Sequence, residues 1–483
     1  MIPFALLAAL IFALIAGASI LFHKKKTVVP KPGQLAVLDD DLLRTTLIRR
    51  GVPAKRMVQP FSIDENVRKL VGGAKNAKRG IPRAQAIAEA LAKKLAGVRM
   101  RVSDVGKAEV RSAPKLAKAL LENKVKVAIS YEVSALLMTM LRSAELSALL
   151  CEVHELDAPM RSADATGTLG RYAVAVYKED ALGRKPLVIF DPLRAGKVPA
   201  WAGGGGDLKM ASKATKIYPL DDGSAAAHFL MLQAATLIRR APEDSPDAYE
   251  MSKLALKAAS PSASLHVARA RVLLASGGVA DALNEATKAL GIRKDAPRRT
   301  AVAQLMVANK RAGDARTHLE AAIKADPTFW PAQAMLASLH WAMGKKEDGK
   351  KHFEAAKKLA PDAAAVVALE ASRKLADGEL EEGIALLRKA AAKEDSMALR
   401  FKLYLALMQI GKKDEAKKLR QQLEKSASKN PALKRALKAV DQAATRAATP
   451  QPPPLPKDPA KLDQPPPMPK IPSLKLPDVK FGK

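Results

Sequence analysis

The chain has 483 residues, 48% of them hydrophobic, enough to bury sizeable cores in two or three domains. Aromatics make up 4% and there is a single Cys, which favours helices over sheets and excludes a disulfide framework within one chain. The formal charge is +32, and residues 23–120 hold 23 Lys and Arg against 8 Asp and Glu. Such a balance attracts anionic lipid, nucleic acid and acidic proteins without specificity. A specific nucleic-acid reading is weak, because few aromatics are present to stack bases and no nucleic-acid motif is recognisable.

Residues 2–22, IPFALLAALIFALIAGASILF, carry no charge and as a helix span about 31 Å, one hydrocarbon core. HKKK follows. This predicts an uncleaved single-pass transmembrane anchor over 1–22, although AGA at 16–18 would also serve as a signal-peptidase site. The positive-inside rule places Lys24–Lys26 and the bulk of the chain on the cytoplasmic side of an inner membrane, a periplasmic bulk being the alternative. The lysines also suit anionic headgroups, the plainer reading being an ordinary stop signal.

Residues 23–74, with Pro30, Pro32 and Pro53, read as a basic linker. Residues 75–224 read as an α+β domain. Ile87, Leu91 and Leu95 give 84–96 one apolar helical face, KVKVAI (124–129) alternates as a short strand, and 130–144 reads as a helix. LLCEVHEL, RYAVAVYK and PLVIFD follow as three strands. WAGGGGDLK (201–209) lacks the Gly-Lys-Ser/Thr of a phosphate loop and reads as a flexible connection.

From about residue 225 to 440 helix follows helix. Small residues recur at a fixed period: Ala255, Ala289, Ala322, Ala356 and Ala390 form one row, and Ala248, Ala282, Ala315, Gly349, Gly383 and Ala416 a second. A period of 34 resembles tetratricopeptide repeats, about six helix pairs here. The best copy, 328–361, has Leu336, Ala337, Gly344, Phe353, Ala356 and Pro361, but Gln333 and His340 stand where the family carries large aromatics. The resemblance implies an all-α solenoid whose concave groove binds a protein. Gln333, His340 and Trp341 are expected there, with Trp330 and Trp341 as candidate anchors for an acidic partner segment, or else as rings packed between repeats.

Residues 441–483 read as a disordered Pro-rich tail in which QPPPLPK (451–457) recurs as QPPPMPK (464–470). Pro452, Pro453, Pro454 and Pro456, and again Pro465, Pro466, Pro467 and Pro469, suit a polyproline-binding groove or a stiff spacer.

Residues 130–148 resemble the nucleophile helix of the transglutaminase-like superfamily, the papain-like cysteine protease fold. Ser130, Ser134, Leu137, Leu141, Arg142 and Ala148 fall in its register, with Glu145 in place of the usual turn Gly. The strand RYAVAVY puts Arg171 at the family's His position, and VIFDPL supplies Asp191. The resemblance covers roughly 75–200 and implies a Cys-His-Asp triad; this chain has Ser130, Arg171 and Asp191. A serine needs a general base, and a guanidinium stays protonated. The implied domain is therefore degenerate, with an Arg171–Asp191 salt bridge in place of catalysis. Cys151 alternates with Leu149 and Val153 as a core residue, and with His154 it falls short of a zinc site. No metal or cofactor is expected. The leading expectation is a membrane-anchored, non-catalytic interaction scaffold. The alternatives are a hydrolase or acyltransferase using Ser130 or Cys151, and a polyanion- or anionic-lipid-binding protein.

Overall fold

A computed structural model describes residues 34–56, 59–101, 109–154, 171–184, 186–192, 200–201, 216–240, 245–276, 278–393, 397–427 and 431–448. The apolar segment 2–22, Lys24–Lys26, the glycines of 201–209 and the repeated Pro motifs lie outside these residues. Among the described residues no helix is long and apolar enough to cross a membrane. The chain forms two units. The first takes residues up to Glu155, Leu169–Leu232 and Lys253–Ser262; the second takes Leu156–Thr168, Gln233–Ser252 and everything from Ala263 on.

The first unit begins inside the expected linker. Helix α1 (Asp40–Arg49) is capped by Asp39, whose carboxylate accepts the amide of Leu42 at 2.7 Å, and it buries Leu43 and Leu47. Helix α2 (Glu65–Val71) is capped by Asp64 through the amide of Val67 and buries Val67, Leu70 and Val71. Residues 34–74 are thus core-forming and not a linker. Their helices are short, and the caps and i, i+4 apolar pairs that make them are sparse among polar residues.

Helices α3 (Ile81–Lys94), α4 (Ala113–Leu121) and α5 (Ser130–Ser143) follow. Strand β1 (Arg99–Arg101) pairs in parallel with β2 (Val127–Ile129), which leads directly into α5. Every residue of α5 from Ser130 to Leu141 is buried, so its sequence is apolar nearly all round. A five-stranded antiparallel sheet completes the unit: β3 (Ser147–His154), β4 (Arg171–Tyr177), β5 (Pro186–Phe190) and β6 (Ala200–Trp201) form a meander, and β7 (Lys216–Pro219) returns to the free edge of β3. The central strand β4 is buried along its whole length.

Four Arg–carboxylate pairs run through this core. Arg50 donates to Asp221 at 2.9 Å and to the carbonyl of Ala258. Arg111 forks onto Glu132, Arg142 holds Asp222 with two bonds of 2.7 and 2.8 Å, and Arg171 pairs with Asp191. Asp221 and Asp222 stand at the start of α6 (Asp222–Arg240), whose residues to Leu232 belong to this unit.

In the second unit the regular array runs through α8 (Ala263–Ala275), α9 (Val279–Ile292), α10 (Ala296–Ala308), α11 (Ala312–Ala325), α12 (Trp330–Ala342), α13 (Lys346–Leu359), α14 (Ala364–Ala376), α15 (Leu380–Lys393), α16 (Met397–Gln409) and α17 (Lys413–Ala427). Consecutive helices pack as pairs, α8 with α9 through α16 with α17. Before them stands α7 (Ser245–Ala258), and after them α18 (Pro431–Ala448), so residues 441–448 are helical and not part of the tail. Ala289, Ala322, Ala356 and Ala390 are fully buried, as are Ala282, Ala315 and Ala416 of the second row. Gly344, Gly378 and Gly411 close the turn inside their pairs with positive φ, a conformation that glycine adopts without steric cost.

Removing one member of a buried pair strands the other charge. Arg142→Ala should cost about 3–5 kcal/mol, read as faster hydrogen exchange of the β3 and β4 amides, while Arg142→Met with Asp222→Leu should recover most of that protection.

Candidate functional site

Ser130 is the first residue of α5. Its hydroxyl accepts the amide of Tyr172 at 2.8 Å and donates to the carbonyl of Tyr172 at 3.1 Å; Ser134 donates to the same carbonyl at 2.9 Å. Both serines are fully buried. Arg171 precedes Tyr172 on β4, and Asp191 follows the neighbouring β5; Nε lies 2.8 Å and Nη2 2.7 Å from Asp191 Oδ2. The three positions gather at one end of the sheet, and the ion pair has 8% and 0% of its side chains exposed. Donor and acceptor capacity of the Ser130 hydroxyl goes to backbone, and the charged neighbour of that backbone is a guanidinium.

The first unit extends past residue 224, which brings in His228 on α6. Its Nδ1 lies 2.7 Å from the Tyr172 hydroxyl, at the far end of a phenol ring from Ser130. Tyr131 meets Tyr172 edge to face at 5.0 Å and donates to the carbonyl of Ala225. Burial raises both phenols well above their usual range, with Asp222 adding to it for Tyr131 and Glu152, opposite Tyr172 on β3, for Tyr172. This imidazole was not legible as part of the domain, because the expected boundary falls before it.

Cys151 lies on β3 with Leu149 and Val153, all buried. Burial pushes its thiol up to about 12 against the opposing hydrogen bond to Tyr177. His154 is the last residue of the same strand. Among the described residues no group of three or more His, Cys, Asp and Glu is placed to hold a metal ion.

In the second unit the expected groove residues separate. Trp330 is 1% exposed and packs with Ala337, Phe353 and Val366, so it offers no surface to a partner. Gln333 and His340 are also buried. Gln333 Oε1 accepts from His352 Nδ1 at 2.8 Å, and the rings of His340 and His352 stack in parallel at 5.5 Å. Trp341 is half-buried, lies 5.7 Å from Phe353, donates to the carbonyl of Lys346, and carries the Arg373 guanidinium on its ring. Gly349 lets it in: a Cβ there would lie 2.2 Å from the indole. Gly383 serves Leu375 in the same way. The buried positions are those where one repeat meets the next, which explains why large residues there are packing residues.

Ser338, on the same helix as Trp341, belongs to a row at the ninth residue of the first helix in four of the five pairs, Arg271, Gln304, Ser338 and Ser372; the fifth, α16, carries Leu405 there. All four are polar and partly or fully exposed. Arg271 donates to Gln304 at 3.2 Å across adjacent repeats, and Lys402 donates to Ser372 at 3.3 Å. Their period equals that of the buried alanines, so the same spacing search finds them.

Residues 306–372 match the family model of the tetratricopeptide repeat. This chain carries tetratricopeptide repeats. It matches no curated protein. Among solved structures it is similar to a thermophilic tetratricopeptide-repeat protein of Thermus thermophilus, with 18% identity over 38% of this chain and 99% of that one at a TM-score of 0.33. PilF of Pseudomonas aeruginosa gives 18% identity over 42% of this chain and 92% of that one at 0.31, and yeast Tom70 gives 18% over 47% and 50% at 0.36.

Two outcomes follow, one from these tetratricopeptide repeats and one from the buried thiol of the first unit. Gly349→Ala should destabilise the solenoid by about 1–3 kcal/mol through overpacking against Trp341, and Trp341→Leu in the same chain should restore it, as Ala282 and Ala315 coexist with Leu274 and Val307; thermal unfolding reads both. Because burial penalises the thiolate, Cys151 should resist iodoacetamide from neutral pH to about pH 9 in the native chain and react at once in denaturant, as followed by mass spectrometry.

Proposed function

We propose that the chain is a membrane-anchored, non-catalytic scaffold that captures a protein partner along its tetratricopeptide repeats. The carrying observation is the row Arg271, Gln304, Ser338 and Ser372, polar, with Ser338 exposed and the others partly so, where the larger candidates Trp330, Gln333 and His340 are sealed. Hydrogen-bonding groups repeated at one position of successive helix pairs suit an extended segment laid along them. Arg271, Lys402 and Arg373 favour an acidic segment, whose binding then weakens with salt.

The first unit, on this reading, is a transglutaminase-like frame without catalysis. Support comes from a serine committed to the backbone of Tyr172 and from an arginine committed to Asp191. A hydrolase or acyltransferase at Ser130 or Cys151 would need a base at a solvent-reachable nucleophile, and both side chains are fully buried. Residues 2–22 serve as the anchor, with Lys24–Lys26 and the bulk of the chain on the cytoplasmic face of the membrane.

Crosslinking pull-down from native membranes tests the reading. The full chain and its Ser130→Ala variant should capture the same partner, and deletion of 263–427 should abolish capture. Retention of the partner by the deleted chain would move the binding function elsewhere.

A further inference from the structure

The first unit carries a run of positive charge with little acid in it. From Arg68 to Lys94 the chain contains a single carboxylate, Glu89. Lys69, Lys75, Lys78, Arg79, Lys93 and Lys94 are all exposed or partly exposed along this path, which runs off α2 and returns as α3. The end of α2, the last turns of α3 and the turn after α4 converge on an open recess of about 720 Å³, lined among others by Lys69, Leu70, Glu89, Lys93, Lys94 and Asn123. Lys93 and Lys94 form no ion pair among the described residues. They stand in the last turn of α3, where the helix dipole favours a cation. Lys69 meets only Glu65, at 2.7 Å with both side chains largely in solvent, a pair that yields readily to a stronger anion.

We infer that this recess and its lysine rim dock the anionic headgroups of a membrane surface. Three ammonium groups around an open recess suit phosphate oxygens presented from a plane, and lack the aromatic faces on which nucleic-acid bases would stack. The choice of lipid over a free phosphate rests on the reading of residues 2–22 as an anchor. The chain is tied down soon after that segment: the amide of Leu38 donates to Asp222 at 2.9 Å, and Leu35 fills the space beside Gly183. The steps from Phe22 to Gln34 reach at most roughly 43 Å. A unit so tethered meets the headgroup layer continually, and the surface of Lys69, Lys93 and Lys94 faces an anionic leaflet at the lowest energy.

The test is amine labelling of the full chain with vesicles, read by mass spectrometry lysine by lysine. Vesicles of phosphatidylcholine alone are compared with vesicles containing phosphatidylglycerol, and free inorganic phosphate and a single-stranded RNA form two further arms. Lys69, Lys93 and Lys94 should label about threefold or more slowly with phosphatidylglycerol than without it, the protection should vanish near roughly 0.5 M salt, and Lys350 and Lys351 of the solenoid should label equally in both. Equal labelling at the rim in the two vesicle types overturns the inference, as does protection that extends equally to Lys350 and Lys351. Protection by phosphate or RNA that exceeds protection by the vesicles overturns it in favour of those ligands. Anchoring is read separately, as co-flotation of the chain with phosphatidylcholine vesicles.

Discussion

The first unit depends on buried arginines meeting carboxylates far away in the chain. Arg50 reaches Asp221 and Arg142 reaches Asp222, so two consecutive acids at the head of α6 receive the end of α1 and the end of α5. Asp222 also accepts the amide of Leu38, which draws the N-terminal strap into the same knot. Such pairs contribute little net stability, because desolvating two charges offsets most of their attraction. Their effect is geometric. Arg111 and Arg142 grip both oxygens of their carboxylates, a fork that admits few arrangements of the segments that carry it. Arg171–Asp191 links β4 and the end of β5, and it sets the stretch of backbone that Ser130 and Ser134 bind.

The Asp221 carboxyl shows the balance of forces in this core. Burial pushes its pKa up, but hydrogen bonds from Ser224 and Ser260 and the charge of Arg50 outweigh burial and hold it below the ordinary carboxylate range. A depressed folded-state pKa means stability that is complete above the unfolded value and lost as pH falls through the folded one. The knot at the head of α6 is therefore acid-sensitive. The solenoid relies on a different device. Its Ala and Gly rows bring helix backbones together without charge, and its contacts are local in sequence.

That difference governs how much was legible in the sequence. The solenoid's constraint repeats every 33 or 34 residues, so Ala289, Ala322, Ala356 and Ala390 announce it. The individual strands β3, β4 and β5 were legible from their apolar runs. What could not be read was which remote acid each arginine would meet: Asp221 and Asp222 lie 171 and 80 residues from their arginines, and no periodic pattern marks them. The same gap hid α1, whose end is held by Asp221, and it left His228 outside the domain. Trp330 illustrates the converse, a ring that the sequence leaves open as a binding anchor or as packing between repeats and that packs. An aromatic at a helix start reads as a binding anchor, but the start of each first helix is where adjacent repeats close on each other.

Chemistry requires a group with an uncommitted lone pair or proton and a path for substrate. Ser130 has spent both its donor and its acceptor on Tyr172, Arg171 is neutralised by Asp191, and Cys151 is held in its neutral form by burial. Each of these commitments is also a fold contact, so freeing any one of them for catalysis would loosen the sheet that positions the others. The ninth-position row of the solenoid is less deeply committed: its side chains are partly or fully exposed, and Ser338 stands at the edge of a packing layer that Ala337 and Leu336 already hold. Side chains there vary without cost to the fold, from Arg271 to Gln304 to Ser372.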